Sequence, residues 1–255
     1  MSMTDAGPLQ PSPASEPKPS ALRRFGGVLT SPGETFESIA RRPDVLVPLL
    51  LILGLSFVTG IIVARTVDFT AVAREAMEAN PQAAGLPPEQ AERSLRFMAN
   101  LWKVLAYASP LFSLIMFAVI AGVLSIAFRL FGGEGTYKQA FSVTLYSWLP
   151  MLIKGIIATA VFSSRRSVTM AELQNPVRSN LAFLVDFDTR PVAFAILSSV
   201  DVFTIWTLVL FVIGFAAISK CSRAKSAAIV VSLWLVMLLF KVGGAAMQAM
   251  RIKSS

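Results

Sequence analysis

Five apolar stretches, at residues 45–64, 104–131, 140–162, 192–219 and 226–247, are each long enough to cross a bilayer. A hydrocarbon core about 30 Å thick takes about 20 apolar residues of helix, and inside it every backbone amide must be satisfied within the protein. The expected fold is therefore all-α: a polytopic membrane protein of five transmembrane helices. Composition agrees, since 55% hydrophobic and 15% charged residues leave too little polar surface for a soluble chain of 255 residues.

Residues 1–20 hold Pro8, Pro11, Pro13, Pro17 and Pro19 among Ser and Ala, which excludes a regular helix and predicts a disordered tail. The first apolar run begins only near Val45, unlike that of a cleaved secretory signal. Residues 21–44 form a second region, expected to carry an amphipathic N-terminal helix, and 45–255 the membrane domain. In the second region Ser31, Pro32 and Glu34 read as N-cap, first helical residue and the reciprocal carboxylate of a capping box. A helix should run from Pro32 to about Arg41, with Phe36, Ile39 and Ala40 on one side and Pro43 as its stop. Arg23, Arg24, Arg41 and Arg42 interleave with Phe25, Val28 and Leu29, which suits an interfacial helix in the head-group layer. A helix packed on the protein's own bundle has the same pattern.

Between the first two spans, residues 65–103 balance five basic against five acidic side chains and read as two surface helices separated by Pro81, Gly85, Pro87 and Pro88. The second should continue into the membrane through Trp102 and Tyr107, with a kink at Pro110. A further kink is expected at Pro150 in span three. Short loops fix orientation. With a cytoplasmic amino terminus, Arg41, Arg42, Arg129, Lys138, Lys220, Arg223 and Lys225 all lie on the inner side, as expected for a multi-pass protein of a cell inner membrane.

The net charge of +8 and pI of 10.1 serve topology and head-group contact at helix rims, so the bilayer and not nucleic acid is the expected partner. One cysteine, Cys221, and no histidine exclude intrachain disulfides and the usual zinc sites. No metal or cofactor is expected. The glycines at 132, 133 and 135 lack the Lys and Ser/Thr of a P-loop, and no serine sits beside a recognisable base. The chain is expected not to be an enzyme. Trp148, Trp206 and Trp234 read as packing or depth anchors, and Gly243 with Gly244 and Ala245 with Ala246 as close helix contact.

Three ionisable residues fall inside spans: Lys154, Asp201 and Lys241. Each costs about 2.5–3.5 kcal/mol at a helix centre unless paired or led to water. At about 1.5 Å of rise per residue they lie about 12, 14 and 9 Å from the outer end of their spans, so a polar cluster is geometrically possible. Alternatively Ser198 caps span four with Asp201 as its N3 carboxylate, while the two lysines snorkel to the interface.

The stretch Leu29-Thr-Ser-Pro-Gly-Glu-Thr-Phe-Glu-Ser-Ile-Ala-Arg-Arg-Pro43 stands ahead of span one. Gly132-Gly-Glu-Gly-Thr-Tyr-Lys-Gln-Ala-Phe141 opens span three, with Tyr146 and Pro150 after it, and Ser198-Ser-Val-Asp-Val-Phe-Thr-Ile-Trp206 leads to Gly214. These segments resemble the Yip1 domain family in its bacterial form. The resemblance implies five spans, a cytoplasmic amino terminus and no catalytic residues. The small GTPases bound by eukaryotic members are not implied, because their long acidic amino-terminal region is replaced here by a Pro/Ser tail. The expectation is a non-enzymatic protein acting in membrane organisation through lipid contacts, protein partners or self-association. The alternative is a small-solute or lipid transporter or channel with a polar path near Asp201, Lys154 and Lys241.

Overall fold

The computed structural model of the chain describes residues 20–78, 83, 85–164, 172, 175–186 and 189–253. The tail expected over 1–20 thus lies, except for Ser20, outside the described residues. No β-strand occurs among those described, and five helices are long and apolar enough to span a membrane. They are span one (α3, Leu46–Thr66), span two (α6, Ser109–Leu130), span three (α7 and α8, Tyr137–Ser163), span four (α10, Val202–Ser219) and span five (α11, Arg223–Met247, within a helix that continues to Lys253).

Two short helices precede them, α1 (Ala21–Thr30) and α2 (Pro32–Arg41). Ser31 ends one and begins the other, and its backbone N–H donates to Gly27 O at 2.7 Å. The expected capping box does not form: the Ser31 side chain makes no cap hydrogen bond. Its backbone is held in the α1 terminus instead. The apolar side of α2 meets protein, with Phe36 and Ile39 wholly buried in a core shared with Tyr146 of span three and Phe211, Phe215 and Ile218 of span four.

Two helices follow span one, α4 (Phe69–Glu78) and α5 (Pro88–Tyr107), the latter ending one residue short of span two. The expected continuation into the membrane is interrupted at Ala108, with Pro110 in the first turn of span two. Span one approaches this break closely. A Cβ on Gly60 would overlap the Ala106 carbonyl, and Ser109 Oγ donates to Ser56 O at 2.9 Å. Trp102 packs instead on Val67, Val72 and Phe162.

Span two stops by a helix-terminating turn at Gly132 (φ 75°), where Gly133 N–H donates to Phe128 O and Gly132 N–H to Arg129 O. Span three then begins with a capping box, Thr136 accepting from the Gln139 backbone and the Gln139 side chain returning to the Thr136 N–H. It is the central element. Residues 140–147 are buried all round, so their polar members need partners within protein. Thr144 donates to Ala140 O one turn back, and Ser142 reaches the Asp44 carbonyl at 2.7 Å. The kink expected at Pro150 is a break at Trp148, which separates Tyr137–Ser147 from Leu149–Ser163 and leaves Pro150 in a first turn where no N–H is missed.

Span four is preceded by a separate helix, α9 (Pro191–Ser199), which packs on span five. Its apolar run therefore splits in two, and 202–219 alone crosses. Gly214 lies where α2, span three and span four converge: an added Cβ would stand 2.5 Å from Val143 Cγ1 and 3.0 Å from the Phe36 ring. Because Val143 is stiff at χ1 and Phe36 fully enclosed, Gly214→Ala is expected to cost about 1–3 kcal/mol. A lowered unfolding midpoint of the detergent-solubilised protein would report it. Gly54→Ala, with nothing within 4 Å, provides the control. Gly243 and Gly244 are equally open, so the close contact expected of them is not made among the described residues.

Candidate functional site: two buried ion pairs at opposite ends of the bundle

Asp201 ends an extended segment (φ −134°, ψ 167°) and is itself the N-cap of span four, accepting from Thr204 N at 2.8 Å. The cap expected at Ser198 is thus displaced by three residues. Ser198 and Ser199 close α9, both hydroxyls donating back to Ala195 O. The second Asp201 oxygen takes a hydrogen bond from Lys154 Nζ at 2.5 Å, with the Asp201 side chain 1% exposed. Cap and ion pair are two uses of one carboxylate. Lys241 Nζ lies 2.9 Å from both the Ser198 and Ser199 hydroxyls. The three residues singled out from the sequence are brought to one place, where the end of α9 and the start of span four meet the flanks of spans three and five. A lone buried carboxylate at membrane depth would be costly. Lys154 offsets its charge, and the helix N-terminus adds a second favourable interaction.

The other end holds a pair that charge counting missed. Arg24 of α1, expected among the head groups, is 4% exposed and forms an ion pair with Asp44 at the entry to span one. Tyr146 of span three donates to the other Asp44 oxygen at 2.9 Å, and Arg24 Nη2 also reaches Ser38 Oγ at 3.3 Å. Gln139 Nε2 donates to Ala40 O at 2.6 Å. Asp44 therefore ties α1 to spans one and three, and Arg24 carries the tie on to α2 through Ser38. A signal did exist: an acid directly behind Pro43, just before an apolar run, has no purpose in lipid unless it is paired.

At the same end the surface is basic. Lys220, held in the left-handed conformation (φ 55°), pairs with Glu134 at 2.6 Å, and that hydrogen bond raises the pKa of its ammonium group. Arg129 donates to Gly135 O at 3.3 Å. Glu134 N–H donates to Ser219 O, so the glycine turn is docked on the end of span four. It forms a structural joint between spans. Among the described residues no group of three metal-ligating side chains converges.

The elements bearing these contacts, from α1 through most of span five, coincide with one family description. The Yip1 domain model matches residues 26–243. The chain belongs to the Yip1 domain family. A relative, "Membrane protein YknW" of Bacillus subtilis, is 27% identical over 222 residues, covering 84% of this chain and 87% of the relative. No solved structure matches. As a Yip1-domain membrane protein the chain carries the Lys154–Asp201 pair and Asp44 inside the matched region, while Arg24 falls two residues before its start.

Proposed function

We propose that this Yip1-domain protein is non-enzymatic and acts in membrane organisation through lateral contacts, in a bacterial inner membrane with its amino terminus in the cytoplasm. One observation carries the reading. The three ionisable side chains deepest in the spans are committed to neighbours within the bundle, while span five presents Leu235, Met237, Leu239 and Phe240 outward, Phe240 at 79% exposure. A solute path would call for polar groups lining an opening. Bare lateral surface suits a second macromolecule or ordered lipid.

Photo-crosslinking from position 239 or 240 in native membranes tests this. The expected product is one defined adduct, to another copy or to one recurring membrane protein, absent when the crosslinker is placed at the buried position 230. A chain that crosslinks to no protein from any outward position on span five contradicts contact through that face. Reporter fusions after Lys138 and after Ser255 are expected on opposite sides of the membrane. Finding both on one side overturns the orientation.

A further inference from the structure

Spans two and five touch little, and between them runs a furrow of about 250 Å³. Its walls are apolar, with Ala127 and Phe131 on one side and Ala228, Ile229 and Val236 on the other, and Lys225 stands at one end. The two alanines make the gap. From Lys225 to Val236 the helix rises eleven residues, about 16 Å. Half of a hydrocarbon core about 30 Å thick is about 15 Å, so the span-five wall of the furrow is about as long as one leaflet is deep. Its volume falls below the ~300 Å³ at which sites for compact drug-sized ligands begin. Length and narrowness together fit one extended acyl chain.

Charge identifies the head group. The two connections at this end, 129–138 and 219–225, hold Arg129, Lys138, Lys220, Arg223 and Lys225 against the single acid Glu134. Lys220 takes up Glu134, and among the described residues no hydrogen bond or ion pair occupies the Lys225 ammonium group. A basic rim above an apolar slot between membrane helices is the arrangement that holds anionic lipid head groups. We infer that the furrow between spans two and five is a binding site for one anionic phospholipid, its phosphate at Lys225 and one acyl chain along Ala228 and Ile229.

The inference deepens the lateral-contact reading by assigning a ligand to a face other than the outward one, and the two can fail separately. Native mass spectrometry of the full-length protein, purified in detergent and titrated with phosphatidylglycerol or phosphatidylethanolamine, tests it. One phosphatidylglycerol is expected to bind ahead of all others. Lys225→Gln should weaken it about fivefold, Lys225→Arg should restore it, and Ala228→Leu should remove it by filling the slot. Lys225 is exposed, so its variants test the site in a folded protein. Unchanged phosphatidylglycerol binding in both Lys225→Gln and Ala228→Leu overturns the site, as does a first-bound lipid with no preference for the anionic head group. A crosslink from position 232 to a second copy, in place of lipid, overturns it as well. None of these results alters the crosslinks expected from positions 239 and 240.

Discussion

Alanine at position 44 is expected to cost about 3–5 kcal/mol, because it leaves the Arg24 guanidinium buried without its counter-charge. Tyr146 loses its acceptor at the same time. The effect should centre on the amino-terminal pair, whose attachment depends on that carboxylate and on Phe36 and Ile39. Limited trypsin digestion of the solubilised protein reads it directly: the Arg41–Arg42 bond should be cut much faster in Asp44→Ala than in the parent. Replacing Arg24 and Asp44 together by leucine should recover much of the loss, since a buried ion pair exchanged for packed apolar side chains is often close to neutral. Protection of the Arg41–Arg42 bond unchanged by Asp44→Ala would show that the two helices are held by their apolar face alone.

Asparagine at position 201 separates the two duties of that carboxylate. It still caps span four, because an amide oxygen accepts from Thr204 N as a carboxylate does, but Lys154 then carries an unmatched charge at membrane depth. A loss of about 3 kcal/mol is expected, seen as a reduced yield of folded protein on size exclusion in mild detergent. Asp201→Ala, which also removes the cap, should cost about 1 kcal/mol more. Adding Lys154→Met to Asp201→Asn should restore yield. A variant that folds at full yield yet loses flux of a defined solute in liposomes would favour transport over lateral contact.

Hydropathy displayed the five spans because lipid imposes length and composition together, and the structure moves their limits only where helices break. Pro110 and Pro150 announced two breaks, at Ala108 and at Trp148. The third, at Val200–Asp201, follows a tertiary contact: Lys154 selects Asp201 over Ser198 as the cap of span four. Three neighbouring residues able to cap a helix cannot be ranked from propensity when an ion-pair partner 47 residues away decides among them. The amphipathic pattern of α2 was equally plain, yet a stripe of Phe36 and Ile39 looks the same whether oil or protein covers it. Arg24 was misplaced for a related reason. Arginines beside membrane helices usually face head groups, and only the Asp44 and Tyr146 partners, distant in sequence, mark this one as internal. Gly214 carried no local signal of its role, since the Phe36 ring that needs its missing Cβ lies on another helix.

The seat of Phe36 is completed by span four, far downstream in the chain. At a synthesis rate of ~5–20 residues per second, the ribosome needs roughly 10–35 s after Asp44 to reach Ser219. Throughout that interval the first two helices have only the part of their seat that span three supplies, and their greasy side is a temptation to other nascent chains or to the insertion machinery. The joint is thus complete only after four of the five spans have been made.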